Sequence, residues 1–162
     1  MTRIKAQDVG KLVASIALCQ LAGVIGSIFT VPAIRTWYVT LKKPFFTPPN
    51  WVFSPVWITL YCLMGISLFL VWRKGVRTPG VKEALLIFAI QLILNALWSI
   101  AFFGFKSPLA GLVVIIILWV TILFTIISFA KVSRAAGLIL IPYIVWVTIA
   151  SALNASIFFL NM

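Results

Sequence analysis

The pattern of the chain is dominated by long runs without a charged residue, separated by short basic segments. These charge-free runs cover residues 12–34, 44–72, 84–105, 107–130 and 135–162. Each is long enough to cross a bilayer, because a spanning helix takes roughly 20 apolar residues. The apolar residues are continuous instead of alternating, which favours helices over the strands of a membrane barrel.

We therefore predict an all-α integral membrane protein with one domain, a five-transmembrane-helix bundle over residues 1–162. The predicted spans are residues 11–32, 50–72, 83–105, 107–130 and 135–160.

Composition supports this class and narrows the chemistry. The chain is 64% hydrophobic and 9% charged, with a mean hydropathy of +1.20, which excludes a soluble domain. It has no histidine and two cysteines, so a metal centre or an axially ligated haem lacks its usual ligands. The only acids are Asp8 and Glu83, which leaves little for carboxylate acid–base catalysis. We predict no metal and no required cofactor, and expect any ligand to be held by shape, stacking and neutral hydrogen bonds.

The net charge of +11 indicates topology, since the basic residues flank the spans. One side would carry the amino terminus and the second and fourth loops, with Arg3, Lys5, Lys11, Arg73, Lys74, Arg77, Lys82, Lys131 and Arg134. The other side would carry Arg35, Lys42, Lys43 and Lys106. Excess Lys and Arg resist translocation, so we predict that the protein lies in the cell membrane with its amino terminus in the cytoplasm. We expect these charges to contact lipid headgroups and not nucleic acid.

The first loop, residues 33–49, combines prolines with aromatic side chains. Pro44, Pro48 and Pro49 restrict its backbone, while Trp37 and Tyr38 are costly to leave in water. One interpretation is a lid folded back over a pocket in the bundle. The alternative is an aromatic belt at the membrane interface, where Trp and Tyr concentrate.

Three spans place a tryptophan beside small or amide residues on one helical face. These faces hold Trp57, Tyr61 and Met64 or Gly65 on the second span, Gln91, Asn95 and Trp98 on the third, and Tyr143, Trp146, Ala150 and Asn154 on the fifth. Ordinary helix packing would produce such faces, and the amides would then bond a neighbouring helix. Three coincident faces and an aromatic loop together favour an aromatic-lined pocket.

Specific motifs carry a resemblance to a known family. They are W-Y at residues 37–38, K-P at 43–44, P-P-N-W-V-F-S-P-V-W at 48–57, Q-L-I-L-N-A-L-W-S at 91–99, and P-Y-I-V-W through L-N at 142–154. In these motifs and their order the chain resembles the tryptophan-rich translocator protein family (TspO/MBR), also called the peripheral-type benzodiazepine receptor family. The resemblance implies a five-helix bundle, commonly a homodimer.

The resemblance also implies a pocket beneath the first loop that accepts porphyrins such as protoporphyrin IX and haem, and synthetic isoquinoline carboxamides and benzodiazepines. Its ligand-binding positions correspond to Tyr38, Pro48, Trp57, Asn95, Trp98, Trp146 and Ala150. Some bacterial members degrade protoporphyrin in light through two tryptophans that match Trp57 and Trp146, which makes these two the candidate catalytic residues.

Other functions stay open at this stage. Transport or export of porphyrins or lipids is one alternative, and a sensory or regulatory membrane subunit is another. Cholesterol binding is not favoured, because residues 154–162 contain neither the tyrosine nor the following basic residue of the vertebrate pattern.

Overall fold

The computed structural model describes residues 6–162, so Arg3 and Lys5 of the charge argument lie outside the described residues. The helices are α1 (Ala6–Arg35), α2 (Asn50–Trp72), α3 (Val81–Ser99), α4 (Pro108–Val132), α5 (Arg134–Ile139) and α6 (Ile141–Leu160). A short 3₁₀ turn, Tyr38–Thr40, lies in the first loop, and a π-helical segment, Ile100–Gly104, continues α3.

Within residues 6–162, five helical stretches are long and apolar enough to cross a membrane. They are Ala6–Arg35, Asn50–Trp72, Val81–Gly104, Pro108–Val132 and Arg134–Leu160. The predicted class, an all-α integral membrane protein with five spans, is confirmed.

The five spans form a ring in which each span has two principal neighbours, with α5 and α6 together forming the fifth span. α1 packs on α2 and α3, α3 packs on α4, and α4 packs on α5 and α6. α2 closes the ring mainly against α5, and its contacts with α6 are few. Because α2 and α6 are only loosely packed together, space remains between the beginning of α2 and the end of α6.

Glycines allow α1 and α2 to approach closely. A Cβ atom on Gly65 of α2 would lie 2.5 Å from the Ile16 Cα atom of α1, and a Cβ on Gly23 would lie 2.5 Å from the Tyr61 ring. No side chain fits at either contact. The small residues of the first span therefore serve packing within the chain.

The first span extends beyond its predicted bounds at both ends, and the fifth span has the predicted extent but an interior break. α1 runs from Ala6 to Arg35 and includes Pro32, whose missing N–H removes one hydrogen bond without ending the helix. The fifth span is not one helix, because α5 ends at Ile139 and α6 begins at Ile141, with Pro142 in its first turn. The Ser67 hydroxyl on α2 donates to the Ala136 carbonyl at 2.7 Å, giving a carbonyl near the break a partner on another helix.

Candidate functional site

A cavity of about 330 Å³ lies between α1, α2, the end of α3 and the second half of α6. Its wall includes Tyr38, Phe53, Trp57, Tyr61, Trp98, Phe102, Phe103, Ala150, Leu153, Asn154 and Ile157. On the α1–α2 side, Val24, Val31 and Ile58 line the cavity and are also exposed at the surface of the bundle. This volume lies within the usual range for small-molecule sites.

Four rings at the wall of the cavity each stack on the next, and we call Tyr61, Trp57, Trp98 and Phe102 the aromatic ladder. Neighbouring ring centroids are 5.6 Å apart for Tyr61 and Trp57, 6.3 Å for Trp57 and Trp98, and 5.7 Å for Trp98 and Phe102. The corresponding interplanar angles are 30°, 29° and 26°. Stacked rings on two helices present aromatic faces and edges on which a flat ligand can pack.

A chain of buried hydrogen bonds supports one end of the ladder. The Tyr61 hydroxyl donates to Asn95 Oδ1, Asn95 Nδ2 donates to the Tyr143 hydroxyl at 2.8 Å, and Tyr143 donates to Gln91 Oε1 at 3.0 Å. Tyr143 also meets the Trp57 ring edge-on, with centroids 6.4 Å apart. The two amides of α3 therefore bond to side chains of α2 and α6, which is what the sequence analysis expected if these residues serve ordinary helix packing.

Between the end of α1 and the start of α2, Tyr38 is the residue that lines the wall. Tyr38 is 4% exposed and packs against Phe103 with ring centroids 5.8 Å apart. The Lys43 ammonium lies 4.7 Å from the centroid of the Tyr38 ring, within the range of a cation–π contact. Burial raises the pKa of the Tyr38 hydroxyl to about 12, because the charged phenolate would lose its hydration.

Asn161, beyond the end of α6, holds the loop in place. Its Oδ1 accepts from the Lys42 backbone N–H at 2.9 Å, and its Nδ2 donates to the Lys42 carbonyl at 2.9 Å. The tip of the loop and the first turn of α2 are different, since Phe45 in the loop is 101% exposed and Trp51 in α2 is 74% exposed. One part of this segment thus closes the cavity wall, and the other presents aromatic rings outward.

The structure brings four of the seven predicted ligand-binding residues to the cavity, namely Tyr38, Trp57, Trp98 and Ala150. The other three, Pro48, Asn95 and Trp146, are not among its lining residues. Trp146 packs edge-on against Phe53 at 5.9 Å, and its buried indole N–H has no hydrogen-bond partner within residues 6–162. Of the two candidate catalytic tryptophans, Trp57 is at the wall and Trp146 lies behind Phe53.

The sequence analysis missed Phe102 and Phe103, which are both buried at the wall. They belong to the π-helical segment, where the Phe105 N–H donates to the Ile100 carbonyl five residues back at 2.9 Å. A π turn holds more residues than an α turn, so neighbouring rings face the cavity. The sequence signal was the F-F pair at residues 102–103, but an unbroken apolar run does not reveal a change of helix type.

These features define a five-helix membrane protein with an aromatic cavity inside its bundle. The model of the TspO/MBR family matches residues 15–160 of the chain. The chain therefore belongs to the TspO/MBR family.

Individual relatives agree with this assignment. The chain is 47% identical to the "Tryptophan-rich protein TspO" of Chlorobaculum tepidum, over 93% of this chain and 95% of that protein. It is 48% identical to the protein of the same name from Archaeoglobus fulgidus, over 93% and 97% of the two chains. It is 36% identical to the "Tryptophan-rich sensory protein" of Cereibacter sphaeroides, over 77% of each chain.

Proposed function

We propose that this protein binds porphyrins such as protoporphyrin IX and haem, and other flat apolar ligands, in the cavity beside the aromatic ladder. The ladder is the observation that carries the proposal, because its rings border a cavity with mostly apolar walls. A macrocycle packed there gains stacking and the burial of apolar surface. The chain's own residues provide orientation and exclude water, and no further cofactor is required.

The loop supplies the charge that a porphyrin carboxylate needs. Lys43 lies over Tyr38, which is itself part of the cavity wall. A propionate at this end of the cavity would meet the Lys43 ammonium, or Lys42 beside it in the chain. Because Lys42 is exposed and Lys43 is half-buried, salt should weaken this pairing.

A dark titration with protoporphyrin IX tests the proposal, followed by tryptophan fluorescence and the Soret band. We expect Trp57→Leu to weaken binding about fivefold, since it removes a stacking ring worth roughly 1 kcal/mol. Trp119→Leu is the matched control, because this tryptophan lies on α4 and does not line the cavity. Absence of saturable binding by the unaltered protein, or equal loss in both variants, would contradict the proposal.

Light-dependent degradation of the bound porphyrin is the enzymatic form of the proposal. The excited pigment would supply the chemistry, and the protein would hold it beside a tryptophan. The position of Trp57 at the wall and of Trp146 behind Phe53 makes Trp57→Phe the more damaging single change. Unchanged product formation on illumination of the Trp57→Phe, Trp146→Phe double variant would indicate simple photobleaching.

Transport or sensing is the second candidate function. It is supported by the wall residues on α1 and α2 that are also exposed, because they place the cavity beside the surrounding lipid. The name of the Cereibacter sphaeroides relative favours sensing. Porphyrin flux into proteoliposomes tests transport, and ligand-dependent capture of a partner protein tests sensing.

We further propose a homodimer in the cell membrane, with a cytoplasmic amino terminus and anionic lipid headgroups around the basic loops. The homodimer rests on the family assignment, and the orientation rests on the distribution of Lys and Arg. Mass measurement of the protein released from native membranes tests the dimer, and a monomer under these conditions would reject it.

A further inference from the structure

We propose that Asn154 is a positioning residue that fixes the orientation of Trp98, and through Trp98 the geometry of the aromatic ladder. This inference deepens the proposed function of the same cavity. It rests on two hydrogen bonds, on the packing around one glycine and on the place of Trp98 in the ladder.

The hydrogen bonds of Asn154 leave its amide a single orientation. The Trp98 indole N–H donates to Asn154 Oδ1 at 3.2 Å, and Asn154 Nδ2 donates to the Pro108 carbonyl at 2.8 Å. An indole N–H can only donate and a carbonyl can only accept, so rotating the amide by half a turn would break both bonds. Asn154 is 2% exposed, so water does not replace either partner freely.

Gly111 of α4 makes the space in which this amide sits. A Cβ atom at Gly111 would lie 2.8 Å from Asn154 Oδ1 and 2.7 Å from Phe102 Cδ2. The absence of a side chain therefore admits both the amide and the last ring of the ladder. α3, α4 and α6 all contribute to this one contact.

Trp98 connects Asn154 to the rest of the aromatic ladder, because its ring lies between two others. It stacks on Trp57 at 6.3 Å and on Phe102 at 5.7 Å. Within residues 6–162 its indole N–H donates to Asn154 Oδ1, so this acceptor determines which way the indole nitrogen faces. Removing the acceptor leaves a half-buried N–H that favours a different ring orientation and disturbs both stacks.

The test compares near-ultraviolet circular dichroism of the ligand-free protein, which reports fixed aromatic packing. We expect Asn154→Leu to reduce the tryptophan bands to the level of Trp98→Phe, with normal helix content. Thr148→Val is the matched control, because the Trp119 indole N–H donates to Thr148 Oγ1 at 2.8 Å outside the ladder. Wild-type bands in Asn154→Leu would overturn the inference, as would an equal change in Thr148→Val.

A measurement on the unaltered protein covers the case in which Asn154→Leu does not fold. We expect the Trp98 indole proton to resonate downfield of the Trp146 indole proton, which has no partner within residues 6–162. Assignment comes from Trp98→Phe and Trp146→Phe. The reverse order would overturn the inference.

Ligand binding is scored separately from ring positioning. We expect protoporphyrin IX to bind Asn154→Leu about tenfold more weakly than wild type and Thr148→Val without change. If the wild-type protein binds no porphyrin, the proposed function fails, while the dichroism and the indole resonances still decide the role of Asn154.

Discussion

At the scale of single residues, the buried polar groups of this bundle hold aromatic rings. Asn95 joins Tyr61 to Tyr143, and of these two tyrosines Tyr61 stacks on the Trp57 ring while Tyr143 meets it edge-on. In a membrane interior an amide without a partner is costly, so such groups are tolerated where they bond a neighbouring helix. The amides thus determine where the rings of the cavity wall lie.

We expect Tyr143→Phe to destabilise the fold by about 1–2 kcal/mol, because it removes an acceptor from Asn95 and a donor from Gln91. Equilibrium unfolding in micelles measures the change. Thr121→Val is the control, since its hydroxyl donates only to carbonyls of its own helix. Equal stability of the two variants would show that the buried hydrogen bonds of Tyr143 contribute nothing to the unfolding free energy.

Tyr38 predicts a dependence of stability on alkaline pH. Its pKa is raised from 10.0 to about 12 in the folded protein, so the unfolded chain loses this proton first. The contribution of the protonated Tyr38 hydroxyl to the unfolding free energy is therefore complete below pH 10 and is lost as the pH rises towards 12. We expect the unfolding free energy to fall less steeply in Tyr38→Phe than in wild type over this interval. Parallel curves for the two proteins would contradict the burial of the hydroxyl.

At the scale of helices, the fit between α1 and α2 depends on Gly65. We expect Gly65→Ala to destabilise the bundle by about 1–3 kcal/mol, because the added carbon would meet the Ile16 backbone. Gly10→Ala on α1 is the control, since nothing lies within 4 Å of a Cβ atom there. Thermal unfolding of both variants measures the difference, and a stable Gly65→Ala protein would mean that the helices separate at little cost.

The spans were predictable because every stretch of chain that crosses hydrocarbon must be apolar and must hydrogen-bond its own backbone groups. The lengths of the charge-free runs therefore predict the number of membrane spans without knowledge of how the helices pack. The break at Leu140 has a local signal in Pro142, whose ring and missing N–H interrupt a helix, whereas the π-helical segment Ile100–Gly104 has no such signal. Near the break, the Ser67 hydroxyl bonds the Ala136 carbonyl, a contact between helices that the sequence does not reveal.

The cavity was predictable in part. Helical spacing placed Trp57, Trp98 and Ala150 on inward faces, and the family resemblance added Tyr38 as a binding residue; all four line the wall. Spacing alone could not distinguish a lining residue from one directly behind it, which is where Asn95 lies. Phe102 was missed because a regular period of 3.6 residues does not hold through a π turn.

At the scale of the whole molecule, the proposed orientation gives a labelling prediction. In a background with Cys19→Ala and Cys62→Ala, we expect Met162→Cys to react with a membrane-impermeant thiol reagent on intact cells. Thr78→Cys, in the basic loop between α2 and α3, should react only after the membrane is opened. Met162 and Thr78 both lie in exposed positions, so accessibility within the fold does not explain a difference. Reversed labelling would place the amino terminus outside.

The contact between Asn161 and Lys42 also bears on the order of folding. These two residues are 119 positions apart, yet the loop is fastened by this pair of bonds. During synthesis the loop emerges long before its anchor, and contacts between distant residues form late. We therefore expect the loop to be fastened only after the last helix has inserted. Until then, the nascent bundle would have a cavity that is open on the side of the loop.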